Sequence, residues 1–531
     1  MESFLLWDLS AHEQQTLNKL LDRIWKTRTN NKLRTEYHDS KKRLDKIGFS
    51  IPPSMRDFEV SIGWAEKAVT VPAARVRPDG FTSRTGGSLL DEINDFSQSE
   101  DYIRKERYAI RAALQHGCSF VFVTPGPGDP ADAEADSEPR VTVRSALEAT
   151  AEIDPRTGEV TAALEITGTD EYLLYMPGYY IALAKGKDGK FYATRSRSAV
   201  EGLVTCTPYT WQPTLQNPYG TSRITRPLMG YIDTGVRTLL RQETSAEHFS
   251  APQRALLGAT PEHFTDTKGN RISPLKALVG GVWGLPDTYD EDEDKVRRPE
   301  LIQLAQASMT PHSEMMRSIA AMVSSETTIP LGYLGVVHDN PSSADAILAS
   351  ESDMVAMIEA ELPNLGAARV DLARKVMALK YRGAGADAMS RDLRYLRSYF
   401  RDPGTPTRAQ QADAALKFTT AFPNADPVVA MEMYGLSREQ IDRNLAYMRK
   451  VSASQSVSEL MGVLTSSSAV HAAGGAEPGV DADVLKKKFD ALGVAIRAGV
   501  SPQIAAAKIG LSGLEFVEGR PITLKYADEQ P

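Results

Sequence analysis

The alternation of apolar and polar positions is clearest from Thr310 to Met357, where two helical stretches flank a break. Met316, Ile319, Ala320 and Val323 recur at i, i+3, i+4 and i+7, so one face of a helix is apolar. Thr310 followed by Pro311 reads as N-cap and first helical residue, with Glu314 in the first turn. Pro330, Gly332, Gly335 and Pro341 then interrupt the period. Ser342 with Asp345 is a capping-box signal for a second helix, whose Ile347, Met354, Val355 and Ile358 share a face. Pro363 should kink that helix, and Leu365, Leu372, Val376 and Leu379 carry it on to Arg382.

The same reading extends along the chain. Ser10 to Lys46 is mostly helical, with Leu17, Leu20, Leu21 and Ile24 as its stripe. A second helical tract surrounds Trp64, Val69 and Val71, and a third runs from Leu89 to Gln115 and stops at Gly117. SFVFV is a strand, followed by a Gly/Pro/Asp/Glu loop through Pro139. From Arg140 to Thr207 the period becomes two, predicting short antiparallel strands separated by turns such as DPRTGE and KGKDGK. GKDGK reads as a hairpin tip; a phosphate loop would need another glycine spacing and a following helix. Ser222 to Ser250 is a long helix with Ile224, Leu228, Ile232, Val236 and Leu239 or Leu240 in an i+4 row. Residues 251–306 return to strand-like segments (QRALLGA, ALVGGVWGLP) around DTYDEDEDK, so two helices bracket a small β module. After the RGAGAD loop, the chain from Ala388 reads as helices with short connectors and a flexible linker at 466–482. The last helical block holds Leu485, Phe489, Leu492 and Ile496.

Composition narrows the class. At 531 residues with 42% hydrophobic and 24% charged positions, the chain is ordinary globular material for several domains. A net charge of −8 excludes a basic nucleic-acid coat and makes any nucleic-acid contact local. Cys118 and Cys206 are too few for a disulfide scaffold and fit a reducing compartment. No apolar run approaches a membrane span, and MESFLLWDLSAHEQQ lacks the basic region and cleavage site of a signal peptide, so a soluble protein is expected. Charge is distributed unevenly. Between Arg317 and Arg369 there is no Lys or Arg, while Glu326, Asp339, Asp345, Glu351, Asp353, Glu359 and Glu361 are present. Such a stretch would not grip phosphate, which makes it suited to line a path along which a polyanion must not stick.

No catalytic centre, metal site or cofactor is indicated. The histidines lack the spacing of a helical metal site, neither cysteine has a CxxC partner, and GxxxxGK[ST] and GxSxG are absent. The acidic run at 287–294 lacks the Asp/Asn and Gly pattern of a calcium loop and reads as a solvated loop. One internal echo appears: Asp426-Pro427 through Gly435-Leu436-Ser437 matches Ser501-Pro502 through Gly510-Leu511-Ser512. It is either half of a helix-turn-helix or a capped helical turn in a bundle; neither copy leads into a markedly basic helix.

Three segments together resemble the portal proteins of tailed bacteriophages, the siphophage head-to-tail connector family. They are Asn217-Pro218-Tyr219-Gly220-Thr221-Ser222 opening a long helix, Ala251-Pro252-Gln253-Arg254-Ala255-Leu256-Leu257-Gly258, and Pro330-Leu331-Gly332-Tyr333-Leu334-Gly335 running into Asn340-Pro341-Ser342-Ser343-Ala344-Asp345-Ala346. The resemblance covers roughly residues 30–400. It implies an α+β protomer of a dodecameric ring at one capsid vertex, through which double-stranded DNA is packaged and ejected. It divides the chain into a wing (1–214), a first stem helix (215–250), a clip (251–306), a second stem helix (307–325), a tunnel loop (326–342) and a long kinked wing helix (343–399). A crown-like helical region (400–465), the linker and a C-terminal helical region with its tail (483–531) complete it.

The resemblance further implies no enzyme activity, since a separate terminase motor hydrolyses ATP, and a place in the virion with host cytoplasm during assembly. Implied partners are the terminase large subunit, a head–tail adaptor protein, the major capsid protein and a scaffold, with no membrane. Glu326, His338, Asp339 and Asn340 are the expected DNA-facing residues of the tunnel loop. Asp287, Asp290, Glu291, Asp292, Glu293 and Asp294, beside Lys295, Arg297 and Arg298, are the expected docking edge of the clip. Rival readings are a cytosolic DNA-binding regulator using a segment near 426–448, and an enzyme with an unrecognised site in the β region.

Overall fold

The computed structural model describes residues 8–44, 51, 59–84, 87–125, 139–198, 200–249, 254–257, 288–290, 295–297, 300–303, 308–336, 344–381, 393–404, 406–451, 482–497 and 501–511. The chain divides into two compact units, 1–407 and 408–531.

In the first unit, a reciprocal capping box starts helix α1 (Ala11–His38): the Ser10 hydroxyl accepts from the Glu13 N–H, and the Glu13 carboxylate takes the Ser10 N–H at 2.8 Å. Helix α2 (Trp64–Arg75) and strand β1 (Pro78–Thr82) follow. The single helix expected over 89–115 is two, α3 (Ser88–Gln98) and α4 (Glu100–His116). Ser99 between them is extended, with φ −62° and ψ 137°, and its hydroxyl accepts from Tyr102 N. A serine that caps a new helix must leave the old one, and a continuous apolar period hides that break.

Strand β2 (Cys118–Thr124) is the centre of a three-stranded sheet, flanked by β3 (Arg140–Ser145) and β9 (Cys206–Thr210). Between those neighbours lies a five-stranded antiparallel meander: β4 (Ala149–Ile153), β5 (Val160–Gly168), β6 (Glu171–Met176), β7 (Tyr179–Lys185) and β8 (Phe191–Ser198). The period of two sorts its residues by face. Leu164, Tyr172, Leu174 and Ile181 pack under Leu17, Leu20 and Ile24 of α1. Ala163, Tyr175 and Tyr180 pack against Phe120, Phe122 and Cys206 of the three-stranded sheet. The opposite face of that sheet, with Val121, Val123, Tyr209 and Trp211, joins the helices in the largest core. The two cysteines stay apart: Cys118 is paired with Thr210 and Cys206 with Phe122, an offset of four residues, or about 13 Å.

The Asn-Pro-Tyr-Gly motif has a steric meaning here. Gly117 ends α4 with φ +99°, and Gly220 faces it with φ +73°. A Cβ at Gly220 would fall 2.4 Å from Trp211 O and 2.5 Å from Gly117 O, so the chain can cross the end of α4 only without side chains.

Beyond this crossing come α5 (Arg226–Phe249), β10 (Arg254–Leu257), β11 (Thr288–Asp290), β12 (Lys295–Arg297) and β13 (Glu300–Gln303). Then follow α6 (Thr310–Thr327), a 3-10 turn at Leu331–Leu334, and α7 (Ala344–Lys380), with Pro363 inside it. Two expectations change. The N-cap of α6 is Met309, while the Ser308 hydroxyl takes the Thr310 N–H at 3.2 Å. Arg397–Phe400, which overlaps the end of the range given to the long helix, is strand β14 paired antiparallel with β1. ALVGGVWGLP, the RGAGAD loop and Ser342 lie outside the described residues.

The second unit is helical where described: α8 (Arg408–Ala421), α9 (Pro427–Met433), α10 (438–451), α11 (Ala482–Arg497) and α12 (Pro502–Ile509). Both copies of the internal echo take one shape, Pro at the first helical turn and a left-handed glycine (Gly435, Gly510) closing it. Leu492, Ala505, Ala506 and Ile509 form its described core.

Candidate functional site

The site built by these elements is the α5–α6 hairpin, the turn after it, and the start of α7. The two helices are antiparallel. At one end Thr225 Oγ1 donates to Glu326 at 2.7 Å; at the other, β10 and β13 pair with Arg254 opposite Gln303. Their apolar rows are covered within the chain: Ile224, Leu228, Ile232, Ile319, Ala320 and Val323 share a core with Trp64, Met354 and Ile358. Gly235 lets α5 approach closely, since a Cβ there would lie 2.7 Å from Ile62 and 3.3 Å from Trp64. Ile347, expected on the buried face of α7, is 49% exposed.

The half-buried Arg223 guanidinium caps the end of α6. It donates to Ala68 O at 2.9 Å and to Thr327 O, so a cation sits where the helix dipole is negative. Burial pushes its pKa down to about 10, which still leaves it charged at neutral pH. Thr328 then turns the chain with φ +56°, a costly conformation for a β-branched residue.

The first half of the turn is anchored. Ile329 and Leu334 are buried, Trp64 Nε1 donates to Leu334 O at 3.2 Å, and Lys67 Nζ donates to Tyr333 O. A buried polar cluster holds it from below: Arg75 Nη2 donates to Glu351 Oε1 at 2.9 Å and to the Tyr333 hydroxyl at 2.9 Å, and that hydroxyl donates to Glu351 at 2.8 Å. Burial opposes ionisation of the Tyr333 hydroxyl, and its hydrogen bond to the Glu351 carboxylate raises its pKa further.

Of the expected DNA-facing residues, Glu326 is exposed in the last turn of α6; His338, Asp339 and Asn340 lie outside the described residues. The acidic run divides similarly. Asp290 is opposite Lys295 in the β11–β12 hairpin, and Asp287, Glu291, Asp292, Glu293 and Asp294 lie outside the described residues. The lone-sign stretch is also less uniform than its sequence. Glu351 is neutralised by Arg75, and Glu361 accepts from Gln212 N at 3.1 Å, while Asp353 and Glu359 remain exposed.

Sequence reasoning missed the clamp under α7. Arg369, 1% exposed, donates to Glu106 at 2.6 Å and to Gly80 O at 3.1 Å, and lies over the rings of Phe81 and Phe400. Burial pushes this guanidinium toward losing its proton, and the Glu106 carboxylate outweighs it. A lone Arg closing an acidic stretch was the available signal. Further along α7, a cavity of about 750 Å³ is lined by Asn364, Asp371 and Lys375. Lys375 directs its ammonium at Cys206 O, Thr207 Oγ1 and Asp371, so it is a structural cation. Among the described residues no group of three potential metal ligands occurs, and no helix is long and apolar enough to cross a membrane.

The likeness to phage portal proteins extends well beyond the three segments that carry it in the sequence. The chain is 27% identical to the portal protein of Mycobacterium phage L5 and 26% identical to that of Mycobacterium phage D29. Each match spans 405 residues, 75% of this chain and 80% of the relative. No family model matches the chain. Among solved structures, a chain in the neck of a native GTA particle, computed with C12 symmetry, aligns with a TM-score of 0.40 and 11% identity, over 70% of this chain and 89% of that one. The two phage relatives bear out the portal resemblance, and they lend nothing to the DNA-binding regulator.

Proposed function

We propose that this chain is a portal protein: a subunit of the ring-shaped channel at one capsid vertex through which double-stranded DNA is packaged and ejected. The observation that carries this reading is the 405-residue match to two curated portal proteins. In this reading α5 and α6 are the paired stem helices, and the β module between them is the clip. The sheets with α1–α4 and α7 form the wing, and 408–451 belongs to the crown. The tunnel loop, 326–342, is held at its near end by Trp64, Lys67 and the Arg75–Glu351–Tyr333 cluster. His338, Asp339 and Asn340 face the DNA, with Glu326 at the base of the loop; acidic and neutral side chains there avoid trapping a translocating polyanion. The Asp287–Asp294 run docks the terminase large subunit and, later, the head–tail adaptor; the wing contacts the major capsid protein and a scaffold. The subunit resides at the portal vertex of the virion and passes through the host cytoplasm during assembly.

Negative-stain images and sedimentation of the purified chain test this directly. Ring-sized particles without nucleotide hydrolysis are expected; a monodisperse monomer, or an ATPase that survives purification, would overturn it.

A further inference from the structure

A ring needs one face on each copy that meets a different face on the next. The α5–α6 hairpin carries two such faces of opposite sign. On α5, Arg226, Arg237 and Arg241 fall along one side, with Arg226 and Arg241 exposed and Arg237 half-buried. On α6, Glu314 and Glu326 border an exposed arc made of Met315, Ser318, Met322 and Ser325. The side chains of Arg226, Arg241 and Glu314 form no hydrogen bond or ion pair among the described residues, and the Glu326 carboxylate engages only Thr225 there.

The two faces also match in height. Thr225 and Glu326 are level, being hydrogen-bonded to each other. Arg237 lies twelve residues past Thr225 and Glu314 twelve before Glu326, in each case about 18 Å along its helix. Arg317 falls at the height of Asp233, so no like charges meet. Between the charged levels, Gly230 has no counterpart in the chain's own packing: a Cβ there would meet nothing within 4 Å, although glycine weakens a helix. Met322, 44% exposed, sits at nearly the same height on α6.

We propose that the α5 face of one copy packs on the α6 face of the next copy of this chain, without axial shift. Arg226 meets Glu326, Arg237 and Arg241 meet Glu314, and Met322 seats over Gly230. Equal heights make the operator a pure rotation, which closes a ring, whereas an offset would generate a spiral. The inference rests on the ring reading above and specifies which surfaces build it.

Arg226→Glu and Glu326→Arg should each lower the ring fraction at physiological salt by at least about tenfold, with helicity by circular dichroism unchanged. Mixing the two variants should restore rings, because in an alternating ring every interface again joins opposite charges; a purely intrachain effect would not be rescued by mixing. Arg237→Glu mixed with Glu314→Arg repeats the test should either first variant lose helicity. Single variants that assemble like the parent, or folded variants that mixing does not rescue, would overturn the contact. A parent chain that is monomeric throughout would instead refute the ring reading itself.

Discussion

The two halves of α7, on either side of Pro363, use charge in opposite ways. Past the proline, Leu365, Leu372, Ala373, Val376 and Met377 are buried, and so are the cations Arg369 and Lys375, each held by a partner inside the chain. Before it, Met354 and Ile358 are buried, but Asp353 and Glu359 face outward and the one deeply buried acid, Glu351, is held by Arg75. One helix is thus a locked beam at its C-terminal end and an exposed acidic surface at its N-terminal end. Buried ion pairs fix where a helix lies, because an unpaired charge in the core is prohibitive. Exposed acids on the same helix add almost nothing to stability and remain available for function.

Breaking the lock should produce the largest effect. Arg369→Ala leaves Glu106 buried without its cation and should cost about 3–5 kcal/mol, read as a lowered urea midpoint of the first unit. A midpoint within error of the parent would show that the clamp carries no stability.

That clamp also marks the limit of what the sequence displays. The stripes of α1, α5 and α6, the meander and the break after α6 were legible because each depends on residues a few positions apart. Arg369 and Glu106 are separated by 263 positions, and β14 is completed by β1 across more than three hundred, so no local period contains either. The same blindness made the acid-only stretch look uniform, since Arg75 reaches Glu351 from α2. The apolar rows of α5 and α6 have their cover in distant parts of the chain, Trp64 on one side and Met354 and Ile358 on the other, which leaves charged positions outside.

A smaller effect should follow from Arg75→Ala, which removes the cation from Glu351 but leaves the Tyr333 hydroxyl donating to it. A loss of about 2 kcal/mol is expected, together with faster proteolysis in the turn after α6. Equal protection of that turn in parent and variant would mean that Trp64 and Lys67 hold it unaided.

The smallest effect on stability should come from Asp353→Lys with Glu359→Lys, within about 0.5 kcal/mol of the parent. If this acidic face lines the path of the DNA, the double variant should retain DNA more tightly at low salt than at high salt. DNA affinity that matches the parent at every salt concentration would assign these acids to solvent alone.

The placement of the two thiols has a practical consequence for labelling chemistry. Cys118 and Cys206 are both buried; burial pushes the Cys118 thiol up to about 12 and raises Cys206 further. Thiolate is the reactive form, so neither should compete for a maleimide near neutral pH. A single cysteine introduced at Met322 or Gly230 can therefore carry a fluorophore or a crosslinker in the otherwise unaltered chain. Distances between neighbouring copies then become measurable subunit by subunit.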